Sequence, residues 1–233
     1  MRRLVLASIL IGTGAASSAA ADDFPYGSTH SFTVYRNGQQ IGSHTLAFQG
    51  NGQQRAVATS IDFAVKALGL TVYRYSHRGT EVWKGSMLQS IDTKTDDNGK
   101  QFTMRARHDG NRLAVERKGP DTGFSTSVND QGFQRNDAVV EALPSTVLPS
   151  THWNLSQVKQ SMLLNTQYGT PAKVQIADLG RETIKTSTRS IEATHYRYSG
   201  DITLDQWFDD RGRWVKAAFK AFDGSEIEYI LQE

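Results

Sequence analysis

Tight turns recur along this chain at short intervals, and they restrict its fold more than any other feature. Asn37-Gly38, Gly50-Asn51-Gly52, Asn98-Gly99, Asp109-Gly110 and Asp223-Gly224 each separate runs rich in β-branched and aromatic residues. Asn-Gly and Asp-Gly pairs accept the backbone angles that two-residue hairpin turns demand. Links this short join antiparallel strands, because parallel pairing needs a long crossover. Alternation agrees. Val57, Thr59, Ile61, Phe63 and Val65 fall on one face of a strand, and Phe102, Met104 and Ala106 on one face of another. An open sheet this wide curls. The pattern therefore predicts a mainly all-β fold: a strongly curved antiparallel sheet or partial barrel of about ten to twelve strands with one short helix.

The middle of the chain breaks the pattern. Residues 119–141 are polar, with one irregular strand expected near 124–128. Pro144 and Pro149 bracket a segment that cannot be a regular helix. Asn154 reads as the N-cap of a helix over 155–163, the one helix expected beyond residue 21. The proline segment and this helix are expected to lie across one opening of the sheet.

The amino terminus has a different purpose. Met1-Arg2-Arg3 is positive, 4–16 is mostly apolar, and 17–21 is a run of small residues. That order predicts a secretory signal peptide over 1–21, cut after Ala21, ahead of a single β-rich domain over 22–233. The expected location is periplasmic, or secreted. The apolar run is shorter than the roughly 20 residues of a spanning helix. The processed chain is thus expected to be soluble rather than membrane-spanning. The chain has no cysteine, so neither a disulfide framework nor a lipid anchor on cysteine is available. Cleavage removes Arg2 and Arg3 and no acid. The net charge of +2, from 26 basic and 24 acidic residues, then falls to zero. A nucleic-acid partner is not expected of such a chain.

No local motif fixes a chemistry. Six histidines occur, His30, His44, His77, His108, His152 and His195, and no two are closer than 14 residues. No zinc-type spacing is present, and no metal site or cofactor is expected. His44 sits in the second strand of the first hairpin with no partner in sequence and is not read as a ligand. No Gly-x-Ser-x-Gly elbow occurs. Asp209, Asp210 and Asp223 read as turn residues rather than calcium ligands. The aromatic residues are more informative. Trp83, Trp153, Trp207 and Trp214, with Tyr73, Tyr75, Tyr196, Tyr198 and Tyr229, recur on strands or just before the helix. In a curved sheet they either line an apolar cavity or fill a core.

Several stretches together carry a resemblance. They are YRNGQQIGSHTLAF (35–48), LPSTHWN (148–154), LLNTQYG (163–169), DLGRE (178–182), WFDDRGRWVK (207–216) and DGSEIEYIL (223–231). Over residues 30–231 the chain resembles a family of secreted bacterial proteins known only as a domain of unknown function. The family looks related to other uncharacterised periplasmic β-proteins, whose curved sheet is similar to that of the lipoprotein carriers of the Lol pathway. The resemblance implies a fold, and it brings no catalytic or ligand residues with it.

The functional expectation is an uncharacterised periplasmic binding or envelope-associated protein, more a non-catalytic binder than an enzyme. It would hold a lipid or other apolar or amphipathic molecule in the concave sheet face. His152, Trp153 and Asn154 are the candidate ligand-binding residues, with Trp153 expected near the opening. One alternative is a structural protein that binds an envelope partner through 119–141. Another is a hydrolase whose Ser, His and Asp meet only in the fold.

Overall fold

The computed structural model describes residues 24–120, 125–129, 132–136 and 138–233. The expected signal peptide lies outside them. The first seven strands form a meander: β1 (Thr29–Arg36), β2 (Gln39–Gly50), β3 (Gln54–Ala67), β4 (Leu70–Lys84), β5 (Met87–Asp97), β6 (Lys100–His108) and β7 (Arg112–Lys118). β8 (Ser125–Asn129) and β9 (Gly132–Asn136) pair with each other as a separate hairpin, and β10 (Val139–Pro144) returns to pair with β7. The rest follows as β11 (Leu148–Pro149), β12 (Met162–Leu164), β13 (Pro171–Lys185), β14 (Ser190–Gly200), β15 (Leu204–Asp209), β16 (Trp214–Lys220) and β17 (Glu226–Gln232).

Fifteen of these strands make one sheet in the order β10-β7-β6-β5-β4-β3-β2-β1-β17-β16-β15-β14-β13-β12-β11. β1 and β17 pair, so the two ends of the described chain meet at the sheet's centre. The sheet curls without closing, with β10 and β11 as its edges. Right-handed twist accumulated over so many strands bends it and brings distant inner-face side chains together. The turn chemistry works as read. Asn37 and Gly38 both take positive φ (48° and 77°), and Asn98 and Gly99 repeat this (52° and 89°). Gly42 serves a different need: a Cβ there would lie 2.0 Å from the Asp62 carbonyl of the neighbouring strand.

The concave face is crossed by a strap, residues 147–169, that is pinned on several sides. The Tyr26 hydroxyl donates to the Trp153 carbonyl at 2.6 Å. The Thr93 hydroxyl donates to the Thr166 carbonyl at 2.9 Å. The His152 ring stacks on Trp214 with centroids 4.9 Å apart. Under the strap Trp153 meets Trp83 edge-on at 5.4 Å and packs with Phe24, Tyr26 and Phe48. The four tryptophans, Trp83, Trp153, Trp207 and Trp214, are therefore core residues.

Two expectations are corrected here. The seventeen strands among the described residues exceed the expected ten to twelve, because β10, β11, β12 and the β8–β9 hairpin are too short or too polar to show alternation. The helix expected over 155–163 is a five-residue 3-10 turn, Leu155–Lys159. Asn154 does cap it, accepting from the Ser156 amide at 3.0 Å. Gln160 is already extended (φ −93°, ψ 149°), and Met162–Leu164 pairs with β13. A single turn has little intrinsic stability, and strand pairing overrides it.

Candidate functional site

One transverse row of the sheet carries the site. Register places Phe32 opposite His44, His44 opposite Ile61, Ile61 opposite His77 and His77 opposite Thr95. His44 and His77 thus sit two strands apart, about 10 Å along the sheet, both buried on the inner face. On β4 the same face reads Tyr75, His77, Gly79, Glu81 and Trp83, with exposed Arg78 and Thr80 alternating between. The strap brings His152 over this row. Its ring centroid lies 6.1 Å from that of His44.

His152 is held in a strained backbone. Its φ is +65°, and the Trp153 amide donates across it to the Thr151 carbonyl at 2.7 Å. This is the rare γ-turn with a left-handed central residue. Such strain in a non-glycine residue persists only where its surroundings enforce it, and it concentrates at functional sites.

Hydrogen bonds assign the tautomers. Thr95 Oγ1 donates to the Gln167 carbonyl, so it accepts from His77 Nδ1–H at 2.8 Å. His77 Nε2 is left with its lone pair. Tyr198 donates to Gln206 Oε1, so the Gln206 amide nitrogen donates to His152 Nδ1. His152 Nε2 then carries the proton. Neither ring nitrogen of His44 has a hydrogen-bond partner, nor do Thr59 Oγ1 and Gln157 Nε2. Burial holds all three rings neutral. It lowers His77 and His152 to about 4 and His44 well below its ordinary value, and neighbouring histidines add to the effect for His44 and His152.

These groups line a cavity of about 470 Å³, a size common for small-molecule sites. His44, Thr59, His77 and Gln157 form its buried end. Tyr73, Tyr75 and Tyr229 line its wall, and exposed Phe222 and Lys220 stand at the outer rim. The lining is aromatic outside and polar within.

Beyond Gly79 lies Glu81, fully buried. Its carboxylate accepts from Trp83 Nε1 at 2.8 Å and Trp153 Nε1 at 3.2 Å. Burial pushes its pKa up to about 7, while the two indole donors pull it down. This carboxylate ties the strap to β4.

The three candidate residues from sequence take different places. His152 lines the cavity. Trp153, expected near the opening, is 7% exposed in the core beneath the strap, because its indole reaches Glu81. Asn154 caps the 3-10 turn. Tyr73, Tyr75, Tyr198 and Tyr229 line the cavity, as one of the two readings of the aromatic residues had it. His44, set aside as a ligand in the sequence, lines the cavity; His77, Thr59 and Gln157 line it too and Glu81 lies beyond, with no local motif to mark any of the four. The available signal was strand parity: His44 shares a face with Leu46 and Phe48, and His77 with Glu81 and Trp83.

Among the described residues no histidine joins a hydroxyl to a carboxylate as a hydrolytic relay would. His77 has the Thr95 hydroxyl, while His195 has Asp205 (2.9 Å) and Glu182 (3.0 Å). No group of three or more metal-binding side chains is placed to hold an ion among the described residues. Among them too, no helix is long and apolar enough to cross a membrane.

Fold and site together define a β-barrel-like protein with a strapped inner cavity. A solved structure shares the architecture: a β-barrel-like protein of the domain of unknown function DUF1849 from Brucella abortus, 9% identical. It matches with a TM-score of 0.56 over 88% of this chain and 94% of that one. The chain belongs to the family described as "Domain of unknown function (DUF6134)", whose model matches residues 32–232. No curated protein matches it.

Proposed function

We propose that this protein is a non-catalytic binding protein of the cell envelope that holds a small amphipathic molecule in the cavity under its strap. The observation that carries this reading is His44. It is 1% exposed, lines the cavity, and leaves both ring nitrogens without a partner. An unpaired buried polar group costs roughly 1–3 kcal/mol, and a ligand head group seated there offsets that cost. The aromatic wall suits an apolar tail. The amino-terminal segment supports export. Native mass spectrometry of the processed chain, purified from the cells that make it, tests the reading. A bound small molecule released by organic extraction is expected. A clean apo mass before and after extraction sinks it.

A further inference from the structure

We propose that the molecule held in this cavity carries a carboxylic acid at its polar end, and that it binds together with a proton shared with His44, His77 and His152. This rests on the binding reading above and specifies its ligand. The inner end presents both kinds of partner: a lone pair at His77 Nε2, an N–H at His152 Nε2, and one of each on unpaired His44. The unpaired Thr59 hydroxyl and Gln157 amide add two more. A carboxyl group offers two oxygens and one exchangeable proton, which match this set.

The charges around the site decide how an acid is accommodated. Lys220, the one Lys or Arg in the described lining, stands at the exposed rim. No permanent cation therefore awaits an anion at the buried end. A bare carboxylate placed there would be strongly disfavoured. A proton from water, taken either by an imidazole or by the acid itself, removes the penalty. No built-in acid competes for that proton. Asp97 sits toward the rim, accepting from Tyr73 at 2.6 Å. Glu81 lies beyond Gly79 and is engaged by two indoles. Tyr75, Tyr198 and Tyr229 are kept un-ionised by burial. His30, the remaining nearby ring, is engaged with the Trp214 carbonyl at 2.6 Å.

Calorimetric titration of the delipidated, processed chain with dodecanoate tests this, run in two buffers of different ionisation enthalpy. Dodecanol and dodecyltrimethylammonium are the comparison probes. Dodecanoate is expected to bind with uptake of about one proton, its affinity rising about tenfold per pH unit between pH 8 and pH 7. His152→Gln is expected to reduce both the uptake and the pH slope. Dodecanoate binding without proton uptake overturns the proposal, as does equally tight dodecanol binding. Either result leaves the binding reading standing. Failure of all three probes to bind removes both.

A second observation stands apart from the cavity. Pairing with β2 ends at Phe63, and pairing with β5 ends at Tyr75. The β3–β4 hairpin therefore projects past its neighbours as a two-stranded ribbon. At its tip Leu68 is fully exposed and takes a left-handed φ of 50°, where asparagine or glycine is favoured. Leu70 and Val72 are also exposed. The charges of residues 64–74 are Lys66 and Arg74, with no acid. An apolar tip flanked by cations is complementary to an anionic lipid surface. We infer that this ribbon docks the protein on such a surface beside the cavity rim. Flotation with vesicles of phosphatidylcholine alone, or mixed with phosphatidylglycerol, tests it. The protein is expected to float with the anionic vesicles. The L68D/L70D variant is expected not to float while melting at an unchanged temperature. No flotation, or flotation indifferent to the variant, overturns it.

Discussion

Acidification from pH 6.5 to pH 4 is expected to remove roughly 5 kcal/mol of folding stability through His77 and His152 alone. Each ring falls from an ordinary value of 6.5 to about 4 because burial disfavours its charged form. In this window the unfolded chain therefore binds more protons than the folded one. Stability from these groups is present above pH 6.5 and is lost as pH falls toward 4. His44 and His30 shift in the same direction and add to the loss. Glu81 opposes it. Its pKa rises from 4.5 to about 7, so its stabilising share is full below pH 4.5 and disappears as pH climbs through 7. Over the same interval it returns roughly 2 kcal/mol. The net loss is still a large part of the 5–15 kcal/mol typical of a folded domain. Urea unfolding followed by tryptophan fluorescence at several pH values measures it. Glu81→Gln is expected to steepen the acid loss, since it removes the opposing group. Stability that holds or rises on acidification would show that the histidines are not buried as described.

These titrations rest on groups whose proximity the sequence conceals. The turns at Asn37-Gly38 and Asn98-Gly99 were legible because two-residue links leave few backbone choices. The alternation on β3 was legible because one face is buried and the other wet. The histidine row depends on something less local, namely the register of β2, β3 and β4 together. A β-bulge at Val65/Lys66 shifts that register within the β3–β4 pair, and no residue pattern announces the shift. His152 adds a further step, since it reaches the row only through a strap of mixed structure. Glu81 is hidden in the sequence for a plainer reason. A lone glutamate in an alternating strand reads as solvent-facing, and its partner Trp153 lies 72 residues away. Trp153 follows the proline segment, a position that in sequence points to the opening. Its burial follows from the indole N–H, which finds a carboxylate in the core.

Trp153→Ala is expected to cost about 3–5 kcal/mol by loss of buried contacts alone. The indole fills the space between Trp83, Phe48 and Tyr26, and a strap pinned on several sides cannot collapse into the void. Glu81 would also lose one of its two indole donors, which raises the cost of its charge above pH 7. Trp153→Phe separates the two contributions: it keeps most of the aromatic volume and removes the N–H. The phenylalanine variant is expected to be most destabilised above pH 7 and closer to wild type near pH 5, where Glu81 is protonated. The alanine variant is expected to be destabilised at both. The consequence extends to the cavity, because the Trp153 amide closes the turn that forces His152 into its left-handed conformation. Loosening the tryptophan lets that turn relax, and His152 leaves the row. Proton uptake on dodecanoate binding is then expected to fall in Trp153→Ala, although Trp153 does not line the cavity. Unfolding free energies within 1 kcal/mol of wild type for both variants, a size ordinary for surface changes rather than core ones, would show that the strap is held elsewhere.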